Sequence, residues 1–405
     1  MNALVLGYGR SGKAAEALLC RSGFAVTVLE GDCPFPVGDF AVAVVSPGVA
    51  LTHPWIVEAQ RRAIPLKSEL QLGCEELRRL GWRLLAVTGS KGKSSVVKVV
   101  AEAIAMTGAR TVACGNYGLP VCAVALSASV RAGEPTPWAV VEVSSFMLET
   151  TELPSDTFAA AAILNLQEDH LDRHGSVSVY HELKRRLLGM TERPIDLVRR
   201  PAAERHGDGA SAVWAGGYFA NEILADNAAA AAALMTAAGV DEGTARRAFA
   251  AFEPLPHRMN LVAEVDGVRF VDDSKATSLA ALAAGVRMAA AGDGAAGARP
   301  GIRLIAGGLP KGDDPRSVLS ALTGRVRKVY LIGQCAEVFF KAWKGAVACE
   351  ICVTLARAVE ACRREAGGGE TVLLSPGAAS FDQFANFGER GDVFAALVKK
   401  ERRET

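Results

Sequence analysis

The chain has 405 residues, half of them hydrophobic and 22% charged, with 45 basic against 44 acidic side chains. That length exceeds one ordinary core and predicts two or three domains. The near-neutral balance lacks the basic excess of a nucleic-acid binder, so any anionic ligand must be held by local groups.

The opening MNALVLGYGRSGKAAEALL reads as strand, glycine turn and helix, without the charged, apolar and small-residue succession of a signal peptide. No apolar run reaches the ~18 residues needed to span a bilayer. Nine cysteines without an export signal predict free thiols and a cytoplasmic location. Short apolar runs at Ala3–Leu6, Ala25–Leu29, Ala41–Val45, Leu84–Thr88, Ala139–Val143, Ala160–Leu164, Leu304–Ala306, Val329–Ile332 and Thr371–Leu374 predict strands, mostly separated by helical stretches. This alternation predicts an α/β fold with largely parallel, buried sheets. Breaks near Gly81-Trp82 and Glu253-Pro254 divide the chain into 1–82, 83–254 and 255–405. Cys349 and Cys352 form one C-x-x-C inside a strand-like segment, and the second ligand pair of a zinc site is missing.

Gly7-Tyr8-Gly9-Arg10-Ser11-Gly12 lies between the first strand and its helix, and Glu30 ends the next strand. Such a turn lets a diphosphate approach the helix N-terminus, where unpaired N–H groups favour anions. A dinucleotide, a uridine diphosphate sugar and a plain packing turn all fit this pattern. Ser46-Pro47-Gly48-Val49 places a second glycine turn on the same edge, which favours a diphosphate-linked ligand.

The strand at Leu84–Thr88 runs into Gly89-Ser90-Lys91-Gly92-Lys93-Ser94-Ser95 and a helical run, Val96–Met106. Strand, Gly-Lys-Ser turn and helix make a phosphate cradle, with Lys93 set for β/γ charge and Ser94 for Mg²⁺. Glu142 closes a later apolar strand as a metal-binding carboxylate should. Leu164-Asn165-Leu166-Gln167-Glu168-Asp169-His170-Leu171-Asp172-Arg173-His174-Gly175-Ser176 brings polar groups to the end of another, facing the same edge. His170 and His174 also suit an i,i+4 zinc pair, but no third ligand is evident.

The run Val87–Ser94, then Gly115-Asn116-Tyr117-Gly118, Glu142–Phe146 and Asp169–Gly175 resemble the muramyl ligases in order. Pro256-His257-Arg258, Asp272–Thr277 and the tail Ser375–Phe384 continue the resemblance. The last two are most similar to the family member that adds D-glutamate to UDP-N-acetylmuramoyl-L-alanine in peptidoglycan synthesis. The resemblance implies three domains: a Rossmann-like one for the uridine nucleotide, a central P-loop one and a Rossmann-like C-terminal one. It implies ATP-driven phosphorylation of a carboxylate and attack of an amino acid on the acyl phosphate.

By the same resemblance, Lys93, His170 and Lys184 are catalytic. Two Mg²⁺ ions are expected, one on Ser94 and Glu142, the other on His170 and a carbamylated Lys184. The Gly89–Ser95 loop with Asn227, Arg258 and Asp273 would contact ATP. Gly9, Arg10, Ser11, Asn116 and His170 would contact the UDP substrate, and Lys275, Thr277, Lys311, Ser380, Phe381 and Phe387 the amino acid. Tyr180 and Lys184 stand one helical turn apart, so both would face the site. A monomer is the family expectation.

Several positions depart from the family pattern. Lys91 and Ser278 replace asparagines, Leu309 replaces an acid, Ile223-Leu224 replace His-Asn, and Gly31-Asp32 follow Glu30 at the nucleotide end. Residues Arg193–Gly217 form a segment shorter than usual. Two alternatives stand beside the D-glutamate-adding ligase: a related ligase with another acceptor, such as a folylpolyglutamate-type enzyme, and an inactive nucleotide-binding relative.

Overall fold

The computed structural model describes residues 1–130, 133–167, 171–199, 218–219, 224–292 and 301–400, at 171–172 and 291–292 by the backbone alone. The chain divides into two compact units, Met1–Phe252 and Glu253–Thr405.

The first unit opens with β1 (Asn2–Leu6), α1 (Arg10–Arg21), β2 (Ala25–Leu29), β3 (Val42–Val45), α2 (Pro54–Arg61), β4 (Leu66–Ser68) and α3 (Glu69–Arg79). Their sheet has the order β2-β1-β3-β4, all parallel. Side chains alternate across it as strand geometry demands. Ala3 and Val5 enter the core that holds α1 and α3, while Leu4 and Leu6 face Trp55 and Ile56 of α2.

A second parallel sheet follows, built from β5 (Arg83–Thr88), β6 (Thr111–Gly115), β7 (Trp138–Glu142), β8 (Ala160–Ile163) and β9 (Pro194–Asp196) in the order β6-β7-β5-β8-β9. Its helices are α4 (Lys93–Ala105), α5 (Val121–Ser127), α6 (Ser145–Leu148), α7 (Leu171–His174), α8 (Val177–Arg186), α9 (Ala225–Ala237) and α10 (Glu242–Ala251). With β5 at the centre, the carboxyl ends of β5, β7 and β8 lie side by side, and ligands bind at such an edge.

The two sheets share one apolar core. Leu70, Cys74 and Leu77 of α3 join Val121, Cys122 and Ala125 of α5 in a single cluster. At Gly73 a Cβ would lie 2.7 Å from the Val121 carbonyl carbon and the Cys122 nitrogen, so α3 and α5 meet backbone to backbone. Beside this contact Glu69 is buried, and its Oε1 accepts the Cys122 N–H at 2.6 Å.

Burial pushes the Glu69 carboxyl up from 4.5 to about 7, against the lowering effect of that hydrogen bond. A carboxyl that ionises less readily in the fold than in the unfolded chain stabilises the fold fully below its unfolded value. That contribution is lost as pH rises through 7. We expect the unfolding free energy to fall between pH 5 and 8, with up to about 3 kcal/mol of the fall due to this group. Glu69→Gln, which keeps the acceptor, should remove that part of the slope in urea titrations across this range. Equal slopes in the two proteins would refute the assignment.

The second unit contains β10 (Asn260–Val265), β11 (Val268–Asp272), α11 (Leu279–Gly292), β12 (Ile302–Gly307), α12 (Leu319–Leu322), β13 (Val326–Ile332), α13 (Ala336–Trp343), β14 (Ala348–Val353), α14 (Leu355–Glu365), β15 (Thr371–Leu374) and α15 (Phe387–Lys399). The strand order is β10-β11-β15-β12-β13-β14, parallel except for the β10–β11 hairpin. Helices α11, α12 and α13 cover one face, α14 and α15 the other. The last strand inserts between β11 and β12, creating the reversal of strand order at which open sheets bind ligands. Cys349 and Cys352 belong to opposite faces of β14, one packed on each core, so they form no joint site. No described helix is long and apolar enough to cross a membrane.

Candidate active site

The loop after β5 is anchored from its neighbour β8. Ser90 N–H donates to the Asn165 carbonyl at 3.0 Å and Lys91 N–H to Asn165 Oδ1 at 2.8 Å, while Asn165 Nδ2 donates to the Lys91 carbonyl at 3.0 Å. Ser90 Oγ accepts the Gln167 N–H at 2.9 Å and lies 3.1 Å from the Tyr180 hydroxyl. Gly92 adopts φ +85°, and a Cβ there would lie 2.4 Å from Asn227 Nδ2, so glycine meets both the backbone and the packing requirement. Helix α4 starts at Lys93, with Ser94 and Ser95 buried in its first turn. The start of α4 carries no side-chain cap, and the N–H groups of such a helix start suit a phosphate chain.

Two lysines from distant segments converge on this loop. Lys93 Nζ donates to the Gly89 carbonyl at 2.8 Å, and Lys184 Nζ donates to the same oxygen at 3.0 Å. Lys184 is 2% exposed, and its Nζ sits 4.6 Å from the centre of the Tyr180 ring. Tyr180 and Lys184 are the buried residues of α8, in keeping with their helical spacing.

Glu142 ends β7, opposite Val87 in the sheet register. It is 2% exposed; Oε1 accepts from Asn116 Nδ2 at 2.7 Å, while Oε2 is buried with no hydrogen-bond donor. A buried, unsatisfied carboxylate oxygen beside the loop has the hard-donor chemistry of a Mg²⁺ ligand. Among the described residues no group of three or more His, Cys, Asp and Glu side chains is placed to hold a metal. The second-metal and substrate expectations for His170, and the departure at Ile223, lie outside the described residues.

The residues read as UDP-substrate contacts lie on the same unit. Gly9 caps α1, Ser11 is in its first turn, and Arg10 Nη2 donates to the Gly118 carbonyl at 2.8 Å, in the loop that carries Asn116. His174 is not free to ligate zinc: Nε2 is 3.0 Å from Ser145 Oγ and Nδ1 is 3.4 Å from Glu149 Oε1.

In the second unit most of the expected residues gather where β15 reverses the strand order. Asp273 is buried and accepts from Ser375 Oγ at 2.8 Å; burial pushes its carboxyl up to about 7. Lys275 Nζ lies 3.8 Å above the Phe387 ring, and Thr277 N–H donates to the Lys275 carbonyl. Ser380 is buried. The segment leading to Lys311 is attached to the same edge by Leu309, which pairs with Ala379. Lys311 itself is exposed, as is Phe381 at 69%, while Arg258 is half-buried, its backbone N–H donating to Asn260 Oδ1 at 2.8 Å.

Two organising residues have no role assigned from the sequence, although the first lies in the polar segment after β8. Asn165 is one, through the three bonds above. Arg390 is the other: it is 1% exposed, donating to Ser274 Oγ at 3.0 Å, the Ser274 carbonyl at 2.9 Å and the Ala378 carbonyl at 3.2 Å. It thereby ties the Asp272–Thr277 block to the tail. Burial lowers its guanidinium to about 10, which leaves it protonated at neutral pH. Both residues act through contacts far apart in sequence.

Residues 87–198 match the family described as Mur ligase middle domain, and residues 257–377 that described as Mur ligase, glutamate ligase domain. The UDP-N-acetylmuramoylalanine–D-glutamate ligase of Nitratidesulfovibrio vulgaris is 36% identical to this chain, over 98% of the chain and 96% of the relative. The enzyme of the same name from Myxococcus xanthus is 33% identical, over 98% and 97%. Among solved structures, the UDP-N-acetylmuramate–alanine ligase of Thermotoga maritima shares the fold with a TM-score of 0.59 at 15% identity, covering 98% of this chain and 99% of its own. The MurF ligase of Thermotoga maritima in complex with ADP gives 0.59 at 14% identity, over 98% and 95%. Matched at both levels over nearly its whole length, the chain belongs to the Mur ligase family.

Proposed function

We propose that this protein is an ATP-dependent ligase that adds D-glutamate to UDP-N-acetylmuramoyl-L-alanine in peptidoglycan synthesis. The observation that carries the reading is the meeting of Lys93 and Lys184 on one loop carbonyl, beside the unsatisfied carboxylate oxygen of Glu142. The name shared by the relatives supports the choice of substrates.

A carboxylate oxygen of the UDP substrate attacks the γ-phosphorus of ATP, the bond to the β-phosphate oxygen breaks, and ADP leaves. The D-glutamate amine, as the free base, then attacks the acyl carbon. The tetrahedral intermediate expels phosphate, leaving an amide and one proton. Both reactants of the first step are anions, so the loop N–H groups and Lys93 offset repulsion and the charge that develops in transfer. Ser94 and Glu142 would hold one Mg²⁺, and His170 with a carbamylated Lys184 would hold a second. Bound there, magnesium would supply further neutralisation of phosphate charge.

Arg10, Ser11, Gly9, Asn116 and His170 would orient the UDP substrate. Asn227, Arg258 and Asp273 would serve ATP, and Lys275, Thr277, Lys311, Ser380, Phe381 and Phe387 the amino acid, Lys275 and Lys311 matching its carboxylates. We assign residues 1–82, 83–254 and 255–405 to UDP-substrate, ATP and amino-acid binding respectively, in a cytoplasmic monomer.

The test is phosphate release from ATP with UDP-N-acetylmuramoyl-L-alanine and single amino acids. Release that requires D-glutamate supports the reading. Release with a different amino acid or acceptor would replace it with a related ligase. ATP binding without turnover on any acceptor would identify an inactive relative.

A further inference from the structure

Arg173 lies in α7, and its side chain is 14% exposed. It grips Glu149 with two parallel bonds, Nε to Oε1 at 3.0 Å and Nη2 to Oε2 at 2.6 Å. This fork fixes the guanidinium in plane and direction. Glu149 is itself 6% exposed, and the Phe146 ring covers the guanidinium at 5.0 Å. Nη2 also reaches the Val49 carbonyl at 2.8 Å and the Pro47 carbonyl at 3.4 Å, residues 124 and 126 positions earlier.

Those carbonyls belong to the glycine turn at the carboxyl end of β3, in the first sheet. Glu149 and Arg173 follow β7 and β8 of the second sheet. One part-buried side chain therefore bridges the turn suited to a diphosphate and the segment next to the phosphate-cradling loop. A fully exposed ion pair would contribute little; a part-buried fork with further carbonyl bonds fixes geometry.

We propose that Arg173, oriented by Glu149, is a positioning residue that sets the distance between the nucleotide end and the carboxylate end of the UDP-linked substrate. The proposal rests on the function inferred above. A substrate held at its diphosphate presents its carboxylate in line with ATP only if the two anchors keep their spacing, and a misplacement of about 1 Å can cost about a hundredfold in rate. Arg173 acts through the turn at 46–49 and touches no reacting atom. Lysine would keep the charge but cannot make a fork and a third bond from one plane.

The test compares wild type, Arg173→Lys, Arg173→Met and Glu149→Gln, by steady-state kinetics and by calorimetric binding of ADP. In both Arg173 variants, kcat/KM for UDP-N-acetylmuramoyl-L-alanine should fall by about tenfold or more, while ADP affinity and KM for D-glutamate stay within about twofold. Glu149→Gln should lie between these and wild type. Unchanged kcat/KM in Arg173→Lys would overturn the proposal. So would an equal loss of ADP affinity in that mild variant, which would mark a general loosening of the fold. Should Arg173→Met fail to fold, Arg173→Lys and Glu149→Gln decide the matter. Failure of the underlying reading looks different: wild type itself would show no phosphate release dependent on the UDP substrate, and both would fall.

Discussion

Lys184→Ala is expected to lower turnover about a hundredfold or more while leaving ADP affinity nearly intact, since in the proposed reaction the lost group serves the reacting phosphoryl and not the nucleotide at large. The Nζ is enclosed between the Gly89 carbonyl and the Tyr180 ring, and the residue is 2% exposed. If the amine bonds the carbon of CO₂ and releases a proton, the product is a carbamate, a carboxylate on a lysine stem. A short carboxylic acid added to Lys184→Ala should then fit the space left by the stem and restore part of the activity. Full activity of the variant without acid would contradict the carbamate role. A severe loss with no rescue by any short acid would limit Lys184 to an ammonium function.

Glu142→Gln should have an effect of similar size through a different quantity. The substitution keeps an acceptor for the Asn116 amide, bonded at 2.7 Å, and removes the negative charge from the buried position of Oε2. A site built from one hydroxyl and one carboxylate loses much of its attraction for Mg²⁺ when that carboxylate becomes an amide. Turnover at ordinary Mg²⁺ should fall by about a hundredfold, and raising the Mg²⁺ concentration should recover part of it. Metal-free ADP binding should be little changed. An unaltered Mg²⁺ requirement with reduced turnover would show that Glu142 acts otherwise.

The parts of the site legible in the sequence are those whose chemistry is local. The glycines, lysine and serine of Gly89–Ser95 are consecutive, so strand, turn and helix could be read as one device. Tyr180 and Lys184 are spaced by one turn and both are buried on α8. Apolar strands such as β5, β7 and β8 were equally legible, being buried on both faces.

Strands β4 and β9 escaped because each spans three residues. Strand β6 escaped because its residues are mostly half-buried and end in glycine, and β10 because this edge strand carries polar and exposed positions. Strand β11, Val268–Asp272, is buried along most of its length but interrupted by Arg269, which masks its apolar run. Asn165 and Arg390 could not be singled out because their partners lie 74 and 116 positions away. An asparagine or arginine that orders a loop by bonding its carbonyls looks, in one dimension, like any surface polar residue.

The close approach of α3 and α5 at Gly73 bears on how this chain can be recombined with its relatives. Exchanging the first 80 residues for those of a homologue would replace one half of a continuous apolar interior, Leu70, Cys74 and Leu77, while keeping Val121 and Cys122 of the other half. Any larger residue at 73 would strike the α5 backbone. Beyond a junction near Phe252 the described residues close around their own two cores. Chimaeras that swap substrate preference are therefore better joined there, with residues 1–252 inherited as a block.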